Sequence, residues 1–198
     1  CGKSTFLKVL FGLANRYTGT VMHKNEDVSG WNTHRLVDRG IAYVPQVDNV
    51  FPSLSVKENL QMGGIKISTK KLNMGIERAF VMFPDLEPRL NDIAASLSGG
   101  ERQMLAISRA LISEPTFLML DEPTAALSPR YQQEILANID ELRSDGISVL
   151  LVEQNARLSL SRSDRGYIFA GGKVVYTGKA QEILNNPDVG DYFLGLSK

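Results

Sequence analysis

The chain has 198 residues, of which 43% are hydrophobic, so it is long enough to bury the core of one domain. Its 22 basic and 22 acidic side chains balance, and no overall charge is present that would attract a nucleic acid or anionic lipid. No apolar run approaches the ~20 residues that a membrane-spanning helix needs, and the single cysteine excludes an internal disulfide. We therefore expect one domain, over residues 1–198, without a nucleic-acid partner.

The first motif is Gly2-Lys3-Ser4-Thr5, which matches the end of the phosphate-binding pattern G-x-x-x-x-G-K-[ST]. In such a loop, the backbone N–H groups at the start of the following helix bind phosphate, and the helix dipole favours the anion. The pattern predicts that Lys3 reaches the β- and γ-phosphates of a nucleotide, that the Ser4 hydroxyl ligates Mg²⁺ and that Thr5 lies near the α-phosphate. A chance tripeptide is the alternative, and the later motifs disfavour it.

Apolar periods along the chain predict that helices and strands alternate. Continuous apolar strands separated by helices are typical of a parallel sheet covered on both faces. Residues 55–112 read as largely helical, and Gly171-Gly172 separates two strands of a hairpin. The predicted helices are residues 5–13, 35–39, 56–62, 71–81, 101–113 and 129–144 and an interrupted stretch over 179–196; the predicted strands are residues 19–22, 41–44, 117–120, 148–152, 167–170 and 173–177.

The second motif is the string LSGGERQ at residues 97–103. Ser98, Gly99 and Gly100 open a predicted helix, which leaves free N–H groups, a hydroxyl and the helix dipole directed at an anion. A plain N-cap followed by a glycine-rich turn is the alternative. The complete string through Gln103 favours the anion-binding interpretation.

The third motif follows the predicted strand over residues 117–120, which ends in Asp121, Glu122 and Pro123. An acidic residue at the end of such a strand is typical of the group that holds Mg²⁺, directly or through water. Glu122 lies one residue further and points differently, so it can polarise the attacking water. An ordinary acidic turn is the alternative, and the two earlier motifs disfavour it.

The string at residues 97–103 resembles the signature of ABC-type ATPases, and the other motifs follow in that family's order over essentially the whole chain. The resemblance implies an α/β fold of the P-loop NTPase type, with a mostly parallel sheet, a small helical subdomain inserted at about residues 55–112, and a C-terminal hairpin plus helix. It implies that Gln46 is the Q-loop glutamine, which contacts Mg²⁺ or the attacking water and faces a membrane partner. It also implies a head-to-tail dimer with a second ATPase subunit, in which Ser98 and Gly100 of one subunit close on the γ-phosphate of ATP held by the other.

Three stretches resemble more specifically the ATP-binding subunits of branched-chain (hydrophobic) amino acid importers: residues 51–60, 121–129 and 151–155. This resemblance implies a peripheral ATP hydrolase at the cytoplasmic face of the membrane. Its partners would be transmembrane permease subunits and, indirectly, a solute-binding protein. Importers of urea or amides look similar. Two further hypotheses stay open, a soluble ABC-type ATPase outside transport and a non-catalytic scaffold subunit.

Two positions depart from the general family pattern. Gln154 stands where most members have a switch histidine. An amide can donate a hydrogen bond to the γ-phosphate, but it cannot become a cation or relay a proton. We interpret Gln154 as a mark of the amino acid importer branch. Ser128 stands where an aspartate is common in the D-loop, residues 125–129. The resemblance therefore implies where this loop lies, but not that it makes the family's usual bond across the dimer.

The start of the chain leads to a further expectation. Gly2 can only be the second glycine of the phosphate-binding pattern, so we expect the first glycine and the preceding strand upstream of residue 1. The resemblance places the residue that stacks on adenine there as well, and it places the upstream strand centrally in the sheet. We expect residues 1–198, expressed alone, to bind MgATP weakly or to fold badly.

Overall fold

The computed structural model describes residues 2–186 and residue 189. Helices and strands alternate along the chain, as the apolar periods predict. The helices are α1 (Lys3–Leu10), α2 (Thr33–Asp38), α3 (Val56–Gly63), α4 (Thr69–Met82), α5 (Gly99–Leu111), α6 (Pro129–Ser144), α7 (Ala156–Leu160) and α8 (Ala180–Asn185), with short 3₁₀ helices at Pro84–Arg89 and Ala94–Ser96. The strands are β1 (Met22–His23), β2 (Glu26–Asp27), β3 (Ile41–Val44), β4 (Phe117–Asp121), β5 (Ser148–Val152), β6 (Arg165–Ala170) and β7 (Lys173–Lys179).

Strands β3, β4 and β5 form a parallel sheet with β4 in the centre, which confirms the predicted α/β class. Successive side chains of a strand point to opposite faces of the sheet. One face, with Leu118 and Leu120, belongs to the largest buried cluster, which extends into α3, α5 and α6. The other face, with Ile41 and Met119, packs against Leu7 of α1. Both faces are covered, as apolar parallel strands require.

The helices α3, α4 and α5 follow one another between β3 and β4, where the sequence predicts a largely helical segment. A capping box begins α3: the Ser55 hydroxyl accepts a hydrogen bond from the Glu58 N–H, and the Glu58 carboxylate accepts one from the Ser55 N–H. Helix α5 contacts both α3 and β3. One buried cluster contains residues of both the sheet and these helices. The division of residues 55–112 into a separate subdomain stays a prediction.

Two antiparallel hairpins accompany the sheet. The β6–β7 hairpin turns at Gly171-Gly172, as predicted. The single strand predicted over residues 19–22 is wrong, because β1 pairs with β2 as a second hairpin. Lys24 and Asn25 at its turn both have positive φ angles, of 48° and 64°, as two-residue hairpin turns require. The glycine that usually marks this turn in a sequence is missing here.

Several helix ends differ from the prediction. Helix α1 ends at Leu10 rather than at residue 13, because the chain turns at Gly12 with a φ of 71°, where a Cβ atom would lie 2.4 Å from the Trp31 carbonyl oxygen. Helix α5 begins two residues early because Ser98 caps it. Helix α8 covers the start of the stretch predicted over residues 179–196, much of which lies outside the described residues. Within the described ranges, no helix is both long and apolar enough to cross a bilayer.

Asn59 is a buried polar side chain that shapes the loop preceding α3. Its Oδ1 accepts a hydrogen bond from the Phe51 N–H at 2.8 Å. Its Nδ2 donates to the carbonyl oxygens of Phe51, Leu54 and Ser55 at 3.0, 3.3 and 3.0 Å. The Asn59 amide therefore supplies hydrogen-bond partners to the backbone of a loop that forms no helix or strand.

Replacing Asn59 with alanine will lower the free energy of unfolding by about 2–4 kcal/mol, because several partly buried backbone groups lose their partner at once. Urea unfolding measures the change. Asn73→Ala is the matched control, since Asn73 is exposed on α4 and its loss will leave stability nearly unchanged. Equal stability of the two variants would contradict the assigned role of Asn59.

Candidate active site

Apart from Ser4 on α1, the predicted catalytic and metal-binding residues lie at or just past the carboxyl ends of the three parallel strands. The register pairs Val44 with Leu120, and Asp121 with Val152, so these strands end at one edge of the sheet. Ligand sites of open α/β sheets lie at this edge. The strand ends bring Gln46, Asp121–Glu122 and Gln154 together, although they are far apart in sequence; their catalytic and binding roles stay predictions.

Asp121 contacts the first turn of α1, the helix that begins after Gly2. The Ser4 hydroxyl donates a hydrogen bond to Asp121 Oδ1 at 3.0 Å, and the Tyr43 hydroxyl donates to Oδ2 at 3.3 Å. Burial, together with the charge of Asp121, raises the pKa of Tyr43 to about 12, so Tyr43 stays a neutral donor. Thr5 is exposed on the same turn.

The donor set around Ser4 and Asp121 suits Mg²⁺. This ion usually binds one or two protein oxygens and takes its other ligands from phosphate and water. The hydroxyl and the carboxylate are in hydrogen-bond contact, so both can lie beside one small cation. No group of three or more His, Cys, Asp or Glu side chains suited to a metal occurs in the described part of the chain.

The Glu122 carboxylate is held by two amides. Gln46 Nε2 donates to its Oε2 at 2.9 Å, and Gln154 Nε2 lies 3.0 Å from Oε1 and 2.7 Å from Oε2. Glu122 is 8% exposed and has a φ of 49°, which is unusual for a residue with a side chain. Its N–H donates to the Val152 carbonyl oxygen at 2.8 Å. The three residues predicted to be catalytic are therefore in direct contact.

Glu153 and Thr124 also belong to this edge, and the sequence motifs do not include them. Lys3 Nζ donates to the Glu153 carbonyl oxygen at 3.0 Å. The Glu153 carboxylate accepts hydrogen bonds from the N–H and the hydroxyl of Thr124. Tyr43 is a third residue that the motifs miss. Their only signal in the sequence is their position, at or just past the end of an apolar strand.

The residues predicted from LSGGERQ lie at the start of α5. Ser98 is exposed and caps this helix, and a capping box with Glu101 completes the cap. Gly99 and Gly100 form its first turn. A Cβ atom at Gly100 would lie 2.4 Å from the ring of Tyr131, so only glycine allows α6 to approach this closely. Among the described hydrogen bonds, none joins Ser98 to Lys3, Ser4 or Glu122.

Comparisons with known proteins show what the chain is similar to. A family model described as "ABC transporter" matches residues 1–125. The probable branched-chain amino acid transport ATP-binding protein LivF of Archaeoglobus fulgidus is 40% identical over 196 residues, covering 98% of this chain and 83% of its own length. The high-affinity branched-chain amino acid transport ATP-binding protein BraG of Pseudomonas aeruginosa is 39% identical over 194 residues with the same coverage. A dimeric, post-hydrolysis structure of an ATP-binding cassette with ADP and Pi is 26% identical, with a TM-score of 0.80, covering 90% of this chain and 81% of its own.

Proposed function

Because the chain belongs to the ABC transporter family, we propose that it is the ATP-hydrolysing subunit of an importer of branched-chain amino acids. The single observation that supports catalysis is the contact of Glu122 with Gln46 and Gln154, next to the Ser4–Asp121 pair. The two relatives named for branched-chain amino acid transport support the solute class. The subunit would act at the cytoplasmic face of the membrane.

The chemistry follows from the positions of these side chains. The N-terminus of α1 and Lys3 bind the phosphates, and the arriving anion draws Lys3 away from the Glu153 carbonyl oxygen. Ser4 and Asp121 would hold Mg²⁺, and the bound ion would neutralise charge on the phosphates. Glu122 accepts a hydrogen bond from the attacking water and acts as a general base, while the amides beside it orient its carboxylate.

A second subunit completes the site in this proposal. Ser98 lies at the exposed start of α5, where free N–H groups and the helix dipole favour an anion. Lys3 and Ser98 each bond to other groups of their own chain, so in this proposal the α5 terminus of another copy closes over an ATP that Lys3 already holds. A head-to-tail dimer supplies it, with either an identical or a related partner.

We propose a groove beside β3 as the contact with the permease. It has a volume of about 250 Å³, and Phe51 and Met62 on its rim are 44% and 43% exposed. Arg109 lines it: the guanidinium lies 4.8 Å from the centre of the Phe51 ring, and its buried Nη1 has no hydrogen-bond partner among the described residues. Burial lowers the pKa of Arg109. A permease segment with one carboxylate among apolar side chains fits both features.

The groove is connected to the catalytic residues along the chain. Tyr43 and Pro45 line it, and Gln46 is the next residue. Tyr43 donates to Asp121, and Gln46 donates to Glu122. A permease segment that moves the residues lining the groove will therefore also move Tyr43 and Gln46, the donors to Asp121 and Glu122.

Transport by the assembled importer in proteoliposomes tests the function. We expect ATP-dependent uptake of leucine, isoleucine or valine when the permease and the solute-binding protein are present, and ATP hydrolysis that the loaded binding protein stimulates. Uptake of urea alone would move the proposal to the urea importers. ATP hydrolysis that no membrane partner alters would favour a soluble ATPase.

Replacing Arg109 with glutamine will lower solute uptake by about 10-fold or more, because a buried carboxylate on the permease loses its charged partner. MgATP binding by the subunit itself will stay unchanged. Arg78→Gln is the control, since Arg78 is exposed on α4 and its bond to Glu114 is at the surface. Uptake and permease co-purification measure the effect. Wild-type uptake by a folded Arg109→Gln variant would rule out this contact.

A further inference from the structure

Glu153 is a partly buried carboxylate that neither the motifs nor the mechanism above uses. It follows β5 directly. Its Oε1 accepts two hydrogen bonds from one residue, from the Thr124 N–H at 3.0 Å and from the Thr124 hydroxyl at 2.8 Å. Thr124 is only 3% exposed, so this pair is shielded from solvent. Burial raises the pKa of Glu153, and the hydrogen bonds from Thr124 oppose this shift.

The contact with Thr124 fixes the turn that carries Glu122. This turn is tied to β5 at two points: the Glu122 N–H bonds to Val152, and Thr124 bonds to the Glu153 carboxylate. Between them Glu122 has its positive φ of 49°, a conformation that persists only where the surroundings impose it. Loss of the second tie would leave the turn held to β5 only by the bond of the Glu122 N–H to Val152.

The backbone of the same residue contacts the phosphate-binding lysine. Lys3 Nζ donates to the Glu153 carbonyl oxygen at 3.0 Å. Glu153 thus touches Lys3 through its main chain and the turn of Glu122 through its side chain. The two contacts are on one residue, so a movement of Lys3 toward phosphate acts on the anchor of Glu122.

We propose that Glu153 is a positioning residue, which joins Lys3 to the Thr124 turn and thereby sets the direction of the Glu122 carboxylate. Glu153 itself does not touch the nucleotide. This inference rests on the proposed ATP hydrolysis at Glu122. The proposal goes beyond ATP hydrolysis itself, because it gives a role to a residue outside the three nucleotide-binding motifs.

The chain offers a discriminating set of variants. Both Thr124 bonds go to one oxygen, Oε1, so Glu153→Gln keeps an acceptor for both of them. Glu153→Ala removes the acceptor. Thr124→Val removes the hydroxyl and keeps the N–H. Glu141→Ala is the matched control, because Glu141 is exposed on α6 and none of the described side-chain bonds joins it to the site.

The kinetics of ATP hydrolysis by the full-length subunit test the proposal. Glu153→Ala will lower kcat by about 10–100-fold, because a small misplacement of a catalytic group is that costly. KM for ATP will stay within about twofold, since phosphate binding is retained. Glu153→Gln will keep kcat within about threefold of wild type. The kcat of Thr124→Val will lie between those of Glu153→Ala and Glu153→Gln. Glu141→Ala will behave as wild type.

Each outcome tests either the proposed ATP hydrolysis or the positioning role of Glu153. No hydrolysis by the wild type contradicts the proposed function itself. Wild-type hydrolysis with an unchanged kcat in Glu153→Ala overturns the positioning role alone. So does an equal loss of kcat and ATP affinity, or a Glu153→Gln variant as slow as Glu153→Ala. If Glu153→Ala does not fold, Thr124→Val decides: a lowered kcat at constant KM supports the role, and a wild-type kcat overturns it.

Discussion

Replacing Glu122 with glutamine will lower the rate of ATP hydrolysis by about 10²–10⁴-fold, the range that general base catalysis supplies. The fold will survive, because a glutamine oxygen can still accept the bonds from Gln46 and Gln154 at the Oε2 position. What disappears is the negative charge that takes a proton from the attacking water. ATP binding will be retained, since the proposed phosphate contacts are Lys3 and the N-terminus of α1 rather than Glu122. Steady-state hydrolysis and nucleotide binding, measured on the same preparation, check both halves of the prediction.

Glu77→Gln is the control for this experiment. Glu77 is exposed on α4, away from the carboxyl edge of the sheet. Its hydrolysis rate will match the wild type. If Glu122→Gln kept a tenth or more of the wild-type rate, roughly the effect of a lost hydrogen bond, Glu122 would not be the base.

Replacing Ser98 with arginine will lower the rate of ATP hydrolysis about as much as Glu122→Gln does. This is expected although Ser98 makes no described contact with the catalytic edge of its own chain. The long side chain would fill the space at the start of α5 where the γ-phosphate of the partner subunit's ATP must lie. It would also remove the oxygen that accepts from the Glu101 N–H, which weakens the cap of α5. Single-site ATP affinity at Lys3 will remain, because that site is built by another part of the chain. Hydrolysis and ATP affinity together separate this effect from a loss of folding.

Ser144→Arg provides the matched control for Ser98→Arg. Ser144 is the exposed last residue of α6, where a cation suits the negative end of the helix dipole. This variant will hydrolyse ATP as the wild type does. Full activity in Ser98→Arg would mean that the α5 terminus takes no part in the reaction.

The periodic parts of the fold were predictable from sequence. Strands β3 and β5 and helix α6 have the predicted bounds, because apolar side chains recur there at strand or helix spacing and turn residues follow. The motifs also identify which residues meet at the sheet edge, since parallel strands end on the same side. The β1–β2 hairpin escaped prediction because its turn uses Lys24 and Asn25 in place of glycine.

The supporting residues of the site were not predictable in this way. Tyr43 reaches Asp121 only because β3 lies beside β4 in one register. Glu153 reaches Thr124 across the β4–β5 pairing. These contacts depend on which strands are neighbours, and a single sequence does not state that. Asn59 likewise reads as one polar residue in a helix until the loop around it is seen.

The most direct test of the account is whether ATP joins two copies of this subunit. Light scattering on the Glu122→Gln variant of the full-length subunit measures the molar mass with and without MgATP. We predict that MgATP converts monomer to dimer, and that adding Ser98→Arg abolishes the conversion while ATP still binds. A Glu122→Gln protein that binds MgATP and stays monomeric, or a dimer that forms equally well with Ser98→Arg, would contradict an ATP enclosed between Lys3 of one copy and Ser98 of the other.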